Sequence, residues 1–103
     1  NKQFYMARIH ARDDQVIVDN RRRLAAYLAN HPCVDCGQTD LRVLEFDHVR
    51  GNKVKDISRM LLIGCSWSTI EKEIAKCEVR CANCHRIKTS ERGGFWRDFG
   101  NRP

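Results

Sequence analysis

The sequence has no apolar run long enough to span a bilayer, no signal-peptide pattern, no internal repeat and no low-complexity segment. These absences argue against a membrane span, a secreted product and a repeat array. The expected setting is a reduced, cytoplasmic one, with no membrane partner. The first residue is Asn rather than Met, so a leader removed ahead of it stays open. At 103 residues there is room for one domain with a small core, a size at which extra staples are often needed.

What is present is positive charge and cysteine. The formal net charge is +6 and the pI about 9.2, which favours polyanionic partners, nucleic acid above all. Four of the six cysteines form two Cys-x-x-Cys pairs, Cys33/Cys36 and Cys81/Cys84, separated by 44 residues. Disulfide frameworks rarely consist of two widely spaced short pairs, whereas structural zinc sites routinely do. A redox Cys-x-x-Cys usually occurs once and within a βαβ pattern, which is missing here. The four thiolates are therefore read as tetrahedral zinc ligands that clip the ends of the intervening segment together. Zinc can supply roughly 10–16 kcal/mol of apparent folding energy in small modules. Cys65 and Cys77 are left over and read as buried small hydrophobes.

The coarse pattern is α+β. Residues 1–12, with Lys2, Arg8 and Arg12, read as a basic arm or the beginning of the next helix. Asp13 or Asp14 can cap a helix that runs to about residue 29, with Val16, Ile17, Leu24, Tyr27 and Leu28 as its apolar stripe. Arg21, Arg22 and Arg23 form a basic band, either a solvated face or a phosphate contact. His31-Pro32 stops the helix, and Cys33-Val34-Asp35-Cys36-Gly37 reads as a metal knuckle. Residues 41–48 read as a strand, with Leu44 and Phe46 alternating with Glu45 and Asp47. Gly51-Asn52 then suggests a hairpin with a short second strand before Asp56. Two short helices follow, about 56–62 and 68–76, the second opened by the capping-box pattern Ser68-Thr69-Ile70-Glu71. A last helix is expected from Cys81 to about Ser90, and a tail that docks Phe95, Trp96 and Phe99. The domain map is an arm and helix over 1–30, a stapled core over 31–92 and a tail over 93–103, one domain in all.

The residues that carry chemistry lie inside the staple. Asp47-His48 ends the predicted strand, and His85 directly follows the last knuckle cysteine. On a helix, positions 81, 84, 85 and 88 share a face. Zinc would thus pin the helix start and aim His85 at the strand. Asp47 and His85 make a donor pair suited to Mg²⁺ or Mn²⁺, and His48 beside them is suited to proton transfer. Adjacent strand residues point to opposite faces, so Asp47 and His48 share a site only if the strand ends or bulges there. His10 and His31 read as surface or capping residues, and Trp67 as core.

This order of motifs resembles the HNH endonuclease family (ββα-metal nucleases), especially its small zinc-containing phage and bacterial members with paired Cys-x-x-Cys, over about Cys33 to Lys88. The resemblance implies a ββα-metal fold and hydrolysis of DNA phosphodiester bonds in a bacterial or phage-infected cell, leaving 5′-phosphate and 3′-hydroxyl ends. It implies that His48 is the general base, that Asp47 and His85 hold one catalytic ion, and that Cys33, Cys36, Cys81 and Cys84 hold structural zinc. Arg50, Lys53, Lys55, Arg86 and Lys88 flank the site and could hold the DNA backbone. Two positions depart from the family. The Asn usually found nine residues before the helix His, which braces the loop bearing the base, is Lys76 here, with Asn83 nearby as a candidate substitute. The second His often found four residues after the helix His is Thr89. Nothing reads out base identity, and monomer and homodimer both fit. The competing reading is a non-catalytic zinc-finger-like DNA-binding module.

Overall fold

The computed structural model describes residues 2–93, with side chains from residue 14 onward. Expectations for His10, the basic side chains of the arm, and Phe95, Trp96 and Phe99 fall outside the described residues. The element order is α1 (Lys2–Ala29), a 3₁₀ turn (Leu41–Val43), β1 (Leu44–His48), α2 (Ile57–Leu62), α3 (Trp67–Ile74), β2 (Cys77–Cys81) and α4 (Ala82–Gly93). This is a mixed helix and two-strand architecture, as the α+β reading expects. Among the described residues no helix is long and apolar enough to cross a membrane.

The second strand is not where Gly51-Asn52 suggested. β1 pairs antiparallel with β2, from Leu44 opposite Cys81 to His48 opposite Cys77. The segment after Gly51 forms no strand, and Gly51 simply turns the chain with φ +67°. The missed strand carries its own signal in Cys77-Glu78-Val79-Arg80-Cys81, an apolar–polar alternation masked by its closeness to the knuckle. The helix caps also shift. Asp13 and Asp14 lie inside α1 rather than at its start. Ser66, not Ser68, caps α3, its hydroxyl accepting from the Thr69 N–H at 3.3 Å.

Alternation gives the sheet two distinct faces. Leu44, Phe46 and Val79 face one side. There Leu24, Tyr27 and Leu28 of α1 and Ile57, Met60, Ile70 and Ile74 of α2 and α3 close the core. Glu45, Asp47, Glu78 and Arg80 occupy the other side, which α4 approaches through His85 and Arg92. Asn20 ties α1 to the α2–α3 connection. Fully buried, its Nδ2 donates to the Cys65 carbonyl at 2.8 Å while its Oδ1 accepts from Arg23 at 3.1 Å. His31 stacks on Tyr27 with ring centroids 3.8 Å apart, closing α1.

Candidate metal and acid–base centre

The knuckle is built by backbone bonds. The Cys33 N–H donates to the Gln38 carbonyl at 3.0 Å, and the Gly37 N–H to the Cys33 carbonyl at 2.9 Å. Gly37 takes φ +78°, a region that favours glycine. Val34 then donates to the Val79 carbonyl at 2.9 Å and fastens the knuckle to β2. Cys81 ends β2 and Cys84 lies in the first turn of α4, so both pairs arrive at one point. The four sulfurs lie within 4.8 Å of one another. The Cys36 and Cys81 sulfurs are 3.7 Å apart, close to the edge of about 3.8 Å of a tetrahedron with Zn–S of about 2.3 Å.

The donor chemistry fits a metal as well. Burial opposes ionisation of Cys33, but the N–H groups of Cys81, Cys36 and Asp35 outweigh it and bring the thiol down to about 6. Contact with Cys81, followed by burial and the other sulfurs, pushes Cys84 up to about 12. Four crowded thiols of this kind ionise together only around a cation. By contrast, burial and the charges of Glu73 and Asp47 push Cys77 up to about 11, which keeps it an inert core thiol.

The predicted trio separates onto two faces of β1. The strand stays regular through His48, without a bulge, so Asp47 and His48 leave opposite sides. On the polar side, Asp47 is buried and more heavily engaged than the sequence suggested. Its Oδ2 accepts from Arg80 at 2.6 Å and from Arg92 at 3.0 Å, and its Oδ1 accepts from Arg92 at 2.9 Å. Burial works against its ionisation, but Arg92, then His85 and Arg80, hold its carboxyl below the usual range. Arg80 also reaches Asp35 at 2.7 Å and Glu78 at 2.9 Å, linking knuckle and sheet.

His85 does meet Asp47. Its Nε2 lies 3.6 Å from Asp47 Oδ1, and its Nδ1 lies 2.8 Å from Glu45 Oε1. An ionised carboxylate only accepts, so Glu45 takes the hydrogen bond from Nδ1–H, and Nε2 is the nitrogen turned toward Asp47. Carboxylate-oriented imidazoles of this form are common among metal ligands.

On the other side, His48 Nε2 lies 2.9 Å from Glu73 Oε2. Glu73 also accepts from the Val54 N–H at 2.9 Å and from Lys76 Nζ at 2.9 Å. Burial opposes its ionisation, but Lys76, the Val54 N–H and His48 hold its carboxyl down to about 2. His48 and His85 both line a cleft of about 370 Å³, together with Glu45, Asp56 and Ser58 and the apolar Leu24 and Phe46.

Lys76 ties down the segment after His48. Its carbonyl accepts from the Val49 and Arg50 N–H groups at 2.9 and 3.1 Å, and its Nζ donates to the Asn52 carbonyl at 2.7 Å. Asn83 is exposed on α4, on the rim of another hollow that includes His85 and Arg86, and takes no part in this bracing. Arg50, about half exposed, donates to the carbonyls of Ala75 and Cys77 at 2.6 and 3.2 Å and lies 3.6 Å from Glu78. Lys53 pairs with Asp56, and Lys88 lies 3.8 Å from Glu91. Lys55 and Arg86 are exposed.

Sequence reasoning missed Glu45, Glu73, Arg80 and Arg92. Glu73 left a readable trace, because it interrupts the apolar stripe Ile70, Ile74, Cys77 of α3 and the following strand. A carboxylate on a buried stripe asks for a partner. Comparisons of the chain with protein-family models, curated proteins and solved structures found no match.

Proposed function

We propose that this protein is a metal-dependent DNA endonuclease of the HNH (ββα-metal) kind, with zinc on Cys33, Cys36, Cys81 and Cys84 and one Mg²⁺ or Mn²⁺ at Asp47 and His85. The observation that carries the reading is that two carboxylate-held imidazoles, His48 from β1 and His85 from α4, line one cleft. His48 would accept a proton from the attacking water through Nδ1, the nitrogen not engaged with Glu73. Asp47 Oδ1 and His85 Nε2 form a hard and borderline donor pair; Arg92, about half exposed, is the group that would yield to an ion. A bound divalent ion supplies charge neutralisation on the phosphate and departing oxygen. Exposed Lys55 and Arg86 are the candidates for holding DNA phosphates.

The test is a supercoiled-plasmid assay with Mg²⁺ or Mn²⁺. Nicking or linearisation that stops with EDTA is expected, and His48→Ala should fall at least about a hundredfold, given the usual worth of a general base. Full activity in that variant would remove His48 from the chemistry. A second reading, a non-catalytic zinc-finger-like DNA-binding module, is favoured by one observation: both oxygens of Asp47 already accept from arginine. Salt-sensitive plasmid binding without cleavage under either metal would establish that alternative.

A further inference from the structure

Among the described residues, Glu73 is the one carboxylate recorded in hydrogen-bond contact with His48, and it comes from a helix 25 residues away in sequence. Its own side chain is about 3% exposed, and its carboxylate is fully engaged by three donors. Two of those contacts secure the segment that follows His48. Val54 fixes the far end of the connection after His48, and Lys76 links the same carboxylate to the Asn52 carbonyl. Asp56, which also lines the cleft, is paired with Lys53. A carboxylate held in this way acts on an imidazole by setting which nitrogen carries the proton and by fixing the plane of the ring.

We propose that Glu73 is the positioning residue for His48: it takes the hydrogen bond from Nε2–H, holds the neutral ring in that tautomer, and presents Nδ1 to the cleft as the proton acceptor. The role deepens the endonuclease reading above and rests on it. Glu73 makes no contact with substrate in this scheme. With Lys76 it supplies the brace that the family's Asn provides elsewhere, through a charged pair in place of an amide.

Two measurements on the full chain with its zinc test the assignment. Long-range ¹H–¹⁵N correlation spectra at mildly alkaline pH, where imidazoles are neutral, should show the His48 proton on Nε2. Glu73→Gln, verified as folded by circular dichroism, should nick plasmid at least about tenfold more slowly, with its Mg²⁺ dependence unchanged. A nicking protein whose His48 carries its proton on Nδ1, or whose Glu73→Gln variant cuts at the parent rate, would overturn the role of Glu73 and leave the nuclease standing. Failure of the parent protein to nick would overturn the nuclease reading itself, and this role with it. If Glu73→Gln does not fold, the tautomer of the parent protein still decides.

Discussion

Two histidines in this molecule are each tied to a glutamate at nearly the same distance, His48 to Glu73 at 2.9 Å and His85 to Glu45 at 2.8 Å, yet the two pairs lie in different surroundings. The first lies between β1 and α3, where Glu73 is buried and locked by further bonds from Val54 and Lys76 and His48 is largely covered. The second is partly solvated, at the start of the helix that carries Cys84, and its other nitrogen faces a second carboxylate. A buried, fully engaged carboxylate suits an imidazole that must keep one orientation. An accessible imidazole turned toward a second carboxylate suits a group that must accept and release an ion. Environment, more than residue type, separates the roles.

The strongest way to break that comparison is to remove the frame common to both pairs. Cys81→Ser should lose bound zinc by elemental analysis and unfold the domain by circular dichroism, since Cys81 is both a buried core residue and a member of the cluster. A folded variant that retains its zinc would detach the cluster from both histidines. Next in size is Arg80→Ala. It leaves Asp47 short of a buried partner and frees Asp35 and Glu78, and should cost about 3–5 kcal/mol in urea unfolding. A loss below about 1 kcal/mol would show that Arg92 alone suffices for Asp47.

Neutralising the two glutamates sharpens the contrast directly. Glu73→Gln should cost about 1–3 kcal/mol, as for a buried polar group losing part of its bonding. Glu45→Gln, about half exposed, should cost under about 1 kcal/mol. Equal losses would erase the distinction between the pairs. The Glu73 contribution should also depend on pH in one direction. Its folded value of about 2 lies below the ordinary 4.5, so the stability it adds is fully present above about 4.5 and is lost as pH falls toward 2. The difference in urea midpoint between the parent and Glu73→Gln should hold steady from neutral pH down to that point and shrink below it. A gap that widens in acid would contradict the sign.

The thiol cluster was legible because its geometry is local. A Cys-x-x-Cys turn brings two sulfurs together wherever it occurs, and only the meeting of the two turns needed the fold. The two short helices α2 and α3 were likewise readable to within a residue or two, whereas α1 begins at Lys2 rather than at Asp13 or Asp14, β1 begins at Leu44 rather than Leu41, and α4 runs on to Gly93. The partner of that strand was not, since Gly51-Asn52 offered a nearby turn while the true pairing crossed two helices. The misplacement had a direct cost for the site: without β2, Arg80 has no reason to face Asp47, and Asp47 reads as a free ligand.

By itself, the sequence determined the four-sulfur donor set, the basic balance, and the presence of Asp47, His48 and His85 at the ends of regular elements, because these depend on residue type and short spacing. Only the tertiary structure decided that Asp47 and His48 lie on opposite faces, that Glu73 and Glu45 each claim an imidazole, and that two arginines close on Asp47. Cross-strand register and helix packing set those contacts over separations of 25 to 45 residues, a range at which neither periodicity nor motif spacing constrains where a side chain points.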